Sequence, residues 1–189
     1  MLTPVRIAAP ATTPVSLDEA KAHLRVDHDD QDGLIAAHIE AATAWVDGFT
    51  GIVGRALVTQ TWRQDFAGFA PRLCLPLVPA SAIVSVSYFD VINDPQTLDA
   101  GTCALLSDAR GAYVVLQPGH SWPATWRRDD AVSVIFTAGY GDPADVPQPL
   151  RQAIQLLVQR LFDGADASID AANDRVVDTL IAPYRRRAL

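Results

Sequence analysis

Over the first fifty positions apolar residues recur at helical spacing. Ser16-Leu17-Asp18-Glu19 opens with a residue type that caps helices, places acids in the first turn, and is followed by Ala20 and Leu24 on the face begun by Leu17. This pattern predicts a short amphipathic helix. After the polar stretch Asp27-His28-Asp29-Asp30-Gln31-Asp32, the residues Leu34, Ile35, Ile39, Ala42, Trp45, Val46 and Phe49 predict a second, longer helix, closed by Gly48 and Gly51, with the acids at its positive end. From Arg55 the period shortens toward two. The runs 56–62, 83–91, 112–116 and 131–137 are rich in Val, Ile, Tyr, Phe and Thr and are separated by Pro, Gly, Asn and Asp, which predicts a small antiparallel β region. Pro147 and Pro149 then precede Leu150, Ile154, Leu157, Val158 and Leu161, one helical face that ends near Gly164. Helices therefore bracket a β-rich insertion at about 55–140, and no internal repeat is visible.

Composition narrows the class. The 189 residues are 49% hydrophobic and 20% charged, which fits a soluble globular domain able to bury its own core. With 22 acidic against 15 basic residues the formal charge is −7, so the chain as a whole carries no electrostatic footprint for gripping nucleic acid. No apolar run approaches the roughly 18 to 20 residues that span a bilayer, and the first residues lack a basic segment followed by an apolar one, so neither membrane insertion nor signal-directed export is expected. Cys74 and Cys103 stand apart from each other and from any His at ligand spacing; they read as buried free thiols rather than a disulfide or zinc site.

The search for chemistry returns little. His23, His28 and His38 lie in or beside the two helices and His120 in a distant turn, with nothing to bring them together. Asp27, Asp29 and Asp32 ahead of Gly33 resemble a calcium loop only superficially, because a frame beginning at Asp27 puts Asp32 where glycine is required and the next frame puts Ile39 where the bidentate Glu belongs. No GxSxG, HExxH or Walker-type motif occurs, and Ala138-Gly139-Tyr140-Gly141 reads as a tight turn leaving a strand. No catalytic residue, cofactor or metal is expected. Trp122 and Trp126 flank Pro123 either as an aromatic ligand platform or as a plug under a long connection. The C-terminal end, 176–189, carries Val176, Val177, Leu180 and Ile181, then Pro183, Tyr184 and Arg185 to Arg187. It is too short for a core of its own and too apolar for a solvated tail, so it packs back on its own domain or docks on a partner with Tyr and Arg as anchors.

The order of these features resembles that of the head-tail connector, or adaptor, proteins of long-tailed bacteriophages and phage-like gene transfer agents. The residues that carry the resemblance are Ser16 to Val26 with the acidic stretch after them, Ala41-Ala42 and Phe49-Thr50-Gly51, Arg55 to Trp62, Leu75-Pro76-Leu77, and Val84 to Tyr88. It continues through Trp122-Pro123, Val134 to Gly141, the helix from Leu150, and Leu180 to Arg185. The segment 163–168, Asp-Gly-Ala-Asp-Ala-Ser, departs from the usual aromatic and charged helix end of such proteins. The resemblance implies an α+β, mainly α fold: a helical bundle with an inserted small antiparallel β region and an extended C-terminal tail, organised as one connector domain (1–175) and a docking tail (176–189). It implies no catalysis. It further implies a ring of about twelve copies beneath the portal, in the neck of a virion or gene transfer agent particle assembled in the host bacterial cytoplasm, with a stopper or tail-side protein below. Leu180, Ile181, Pro183, Tyr184, Arg185 and Arg186 are by position the residues that would embrace the portal. A stopper or tail-completion protein is the alternative within the neck, but would be expected to be mostly β. Double-stranded DNA would pass through without tight binding, and the charges agree: residues 16–50 hold eight acids against Lys21 and Arg25, a balance of −6 that suits a channel wall or a ring contact.

Overall fold

A computed structural model of the chain describes residues 2–99, 101–164 and 167–186. The fold is α+β and divides into two compact units. One comprises residues 2–10 and 59–139, the other 11–58 and 140–186.

The β unit holds two antiparallel sheets among its described residues. Five strands, β1 (Val5–Ala8), β2 (Gln60–Phe66), β4 (Ala80–Phe89), β5 (Pro95–Thr97) and β8 (Val132–Ala138), lie in the order β1-β2-β8-β4-β5. The other three, β3 (Leu73–Cys74), β6 (Cys103–Asp108) and β7 (Gly111–Leu116), lie in the order β3-β7-β6. At the centre of the larger sheet β8 buries Val132, Val134, Phe136 and Ala138 on alternate positions, the period-two signature of a strand with one face in the core. Its partner β2 places Trp62 opposite Phe136 and Gln64 opposite Val134. The run 56–62 is thus displaced from its expected strand. Leu57 and Val58 belong to the core of the helical unit, and the ladder with β8 begins at Gln60, because an apolar β-branched run does not by itself state which core it enters. Strands β1, β3, β5 and β6 carry too few buried residues to show the alternation that marks β8.

The helical unit is built from α1 (Leu17–Leu24), α2 (Asp32–Val46), α3 (Gln148–Asp163) and α4 (Ala167–Ile181). Ser16 caps α1 as expected: its hydroxyl accepts from the Glu19 N–H at 3.2 Å while the Glu19 carboxylate accepts from the Ser16 N–H at 2.9 Å. Arg25 ends the helix in the left-handed region, at φ 59°. Helix α2 stops at Asp47 and Gly48, the latter at φ 83°, and Gly51 follows where an added Cβ would lie 2.3 Å from the carbonyl oxygens of Val46 and Asp47. Helix α3 packs against both α2 and α4, burying Leu150, Ala153, Ile154 and Val158 from one face. The core they share includes Val15, Ile35, Ile39, Val46, Val53, Leu57, Val177 and Ile181. Among the described residues no helix is long and apolar enough to cross a membrane.

Two expectations are corrected here. Cys74 is exposed, since its strand directs Leu73 inward and the next side chain outward, and Cys103 is half-buried, which raises its thiol pKa by desolvation. Residues 176–184 are helical, not extended. Helix α4 runs through the expected junction at 175 and 176, and Val177 and Ile181 are buried in the helical core. An i, i+4 pair of β-branched residues on α4 joins that core as α4 packs against α3. Arg187, the third of the terminal arginines, lies outside the described residues.

Candidate functional site

Among the described residues of the helical unit the histidines stand apart from one another. The His23 Nε2 lies 3.1 Å from Gln159 Oε1, and His28 reaches only Asp30, at 3.9 Å. The acids after α1 are organised by a lysine: Lys21 Nζ sits 2.6 Å from Asp29 Oδ1 and 2.7 Å from Asp32 Oδ1. Those two carboxylates push the lysine pKa up to about 12, and Lys21 in turn holds Asp29 below the usual carboxylate range. Among the described residues no group of three or more His, Cys, Asp or Glu side chains is placed to hold a metal ion. Glu19 is drawn down chiefly by the backbone N–H of Ser16, and also by Arg151, whose guanidinium it meets across the α1–α3 contact.

In the β unit, Trp122 lies flat on Phe69 at a centroid distance of 4.5 Å, and Phe69 meets Tyr88 edge-on at 5.6 Å. Trp122 thus sits in a cluster of three half-buried aromatic rings, while Trp126 is exposed. At the far end of that connection Arg128 covers the Phe89 ring at 3.8 Å and forks onto Asp130, at 2.5 and 2.7 Å.

The end of the chain is the most developed surface feature of the helical unit. After α4, a 3-10 turn over Ala182–Tyr184 brings the backbone against the loop that follows α2. The Arg55 Nε donates to the Tyr184 carbonyl at 2.6 Å, and the Arg186 N–H donates to the Val53 carbonyl at 2.9 Å. That loop is itself anchored from within, because the Leu57 N–H donates to the buried Asp47 carboxylate at 2.7 Å. Asp47 and Arg55 are the contributors that sequence reading missed; a lone Asp after a helix and a lone Arg in a loop give no local sign of the chain ends they hold. Burial raises the pKa of neighbouring Tyr140, and Arg55 partly offsets the rise.

The six C-terminal candidates fall into two groups. Ile181 is fully buried, and Leu180 and Tyr184 are partly buried against the same core. Pro183, Arg185 and Arg186 are exposed, with Arg185 reaching back to Asp178 at 2.6 Å. The structure thus brings the six together at one corner of the helical unit, and only part of the set faces outward.

Residues 14–86 match the family described as phage gp6-like head-tail connector proteins. No curated protein matches the chain. Solved structures share the fold over the whole length. A chain from the neck of an empty GTA particle computed with C6 symmetry superposes with a TM-score of 0.78 at 20% identity, covering 100% of this chain and 97% of that one. A chain from the virion of a native gene transfer agent particle gives 0.77 at 22% identity, and one from the neck of a native GTA particle computed with C12 symmetry gives 0.76 at 20%, each with the same coverage. The resemblance read from the sequence, to head-tail connectors of phages and gene transfer agents, is the one these comparisons support.

Proposed function

We propose that the protein is a structural head-tail connector in the neck of a phage or phage-like particle, where copies form a ring that joins head to tail and extends the DNA channel. The observation that carries this reading is the connector-family match over 14–86 within a chain whose entire fold is that of neck components. A stopper or tail-completion role is disfavoured by the helical unit. The portal is the partner above, and a stopper or other tail-side neck protein the partner below. The protein performs no catalysis in this role and holds no cofactor.

The chain end supplies the portal contact. Pro183, Arg185, Arg186 and the outer edge of Tyr184 meet the portal, while Ile181 and Leu180 act from within by fixing where the turn emerges. DNA passes the ring without being held. The sequence of the helical unit carries 15 acidic against 9 basic residues, and a fixed negative wall repels phosphates instead of retarding them. Co-expression with the cognate portal, followed by affinity capture and electron microscopy, tests the reading. A ring of this protein seated on the portal is expected; a protein that never associates with portal-bearing particles would overturn it.

A further inference from the structure

We propose that the outer face of α2 packs against the α4 edge of a second copy of this chain, joining neighbouring helical units head to tail. The proposal rests on the ring assembly inferred above and names the surface that builds it. Helix α2 is apolar on two sides. Its inner side buries Ile35, Ile39, Ala42 and Val46. Its outer side exposes Leu34, Ala37, Ala41, Ala44 and Trp45, with Leu34 at 50% and Trp45 at 45% exposure, and Glu40 is the one charged residue among the exposed positions of 33–45. A helix whose outer side faces only water is ordinarily polar there, and a continuous apolar stripe ended by two large side chains is the composition of a packing surface.

The occupant follows from the layering of the helices and from charge. Helix α3 packs between α2 and α4, so α2 and α4 form the two unlike edges of one helical layer. The α2 edge is acidic at its rim, with Glu40 exposed and Asp30 just before its start, Asp29 there being held by Lys21. The α4 edge exposes Val176, at 49%, beside Arg175, while the acids among its described side chains, Asp174 and Asp178, are engaged by Arg160 and Arg185. An acid-rimmed apolar edge and an arginine-bearing edge with an exposed valine are complementary between copies, and like edges are not, since a twofold α2–α2 contact would bring Glu40 toward its own copy. Contact between unlike edges is heterologous and propagates from subunit to subunit until a ring closes.

Cross-linking of the full-length protein assembled on its portal tests this, in a Cys74→Ser, Cys103→Ser background that still binds portal. Adding Ala37→Cys and Val176→Cys together is expected to give, with a short bis-maleimide, a denaturation-resistant ladder rising one subunit at a time, absent from either single-cysteine protein. Dimers alone, formed by Ala41→Cys by itself, would overturn the head-to-tail arrangement, as would a portal-bound double-cysteine protein that yields no ladder. Independently, Ala41→Arg, at an exposed position, is expected to leave melting unchanged while cutting the copies retained per portal by about tenfold. Undiminished retention would overturn the proposal. If the unmodified protein does not bind portal, the connector reading fails instead; the α2 surface is then read from sedimentation of the protein alone at high concentration, where self-association that Ala41→Arg does not weaken overturns it.

Discussion

Single side chains at the C-terminal corner divide between holding the helical core together and presenting a surface. Ile181 belongs to the core, so Ile181→Ala should destabilise the protein by about 2–5 kcal/mol, seen as a lower denaturation midpoint, through lost transfer energy and the cavity left behind. Arg186 holds its place through its backbone N–H, so Arg186→Ala should leave the midpoint nearly unchanged while weakening portal capture. Glu19 supplies a pH signature. Its pKa is lowered by folding, so its contribution is present above the ordinary value of 4.5 and is lost as pH falls through the depressed folded value. Melting recorded from pH 6 downward should therefore show Glu19→Gln less stable than the parent at pH 6, the gap closing in acid as the parent carboxylate protonates. A gap independent of pH would show that the capping box and the Arg151 pair do not depend on the charge of Glu19.

At the scale of elements, α4 makes the C-terminus part of the fold. Removing residues 176–189 takes Val177 and Ile181 out of the core and should lower the melting temperature substantially, contrary to what a detached tail would give. Removing only 183–189 retains α4 and the buried Ile181 but deletes the Tyr184 and Arg186 backbone contacts to Arg55 and Val53; it should melt within a few degrees of the parent yet fail to bind portal. Circular dichroism melting with portal capture separates the two. The missed helix has a plain cause. Residues 164–175 contain Gly164, Ser168, three aspartates and Asn173, weak helix formers that look like a linker, and α4 persists because its later turns dock on α3. The start of α1, the end of α2 and both ends of α3, in contrast, were legible because the Ser16 cap, the glycines and the Pro147–Pro149 pair act within a single turn of the residues they control.

For the molecule as a whole, net charge and the exposed apolar face of α2 pull in opposite directions. Each copy carries a formal −7, so copies repel at low ionic strength, while screening at 0.15 M salt acts beyond about 8 Å and leaves close contacts intact. The isolated protein is expected to be monomeric by light scattering in dilute, low-salt buffer, to associate more as salt rises, and to form its ring readily on a portal that holds many copies side by side. A stable ring in dilute, low-salt solution without portal would contradict this.

What the sequence determined by itself is what short-range physics controls: the capped α1, the periodic α2 and α3, the alternation of β8, the lack of a catalytic or metal-binding motif, and the ordered set of features resembling head-tail connectors. Tertiary structure alone decided which apolar run enters which core. It sent Leu57 and Val58 to the helical unit while Gln60 onward joined the sheet, turned Cys74 outward, and folded Val177 and Ile181 back onto α3. The physical reason is common to all three. Periodicity and capping act over one or two turns and can be read along the chain, whereas the hydrophobic effect rewards burial against any apolar surface, and the surface available to a given residue exists only once distant segments have met.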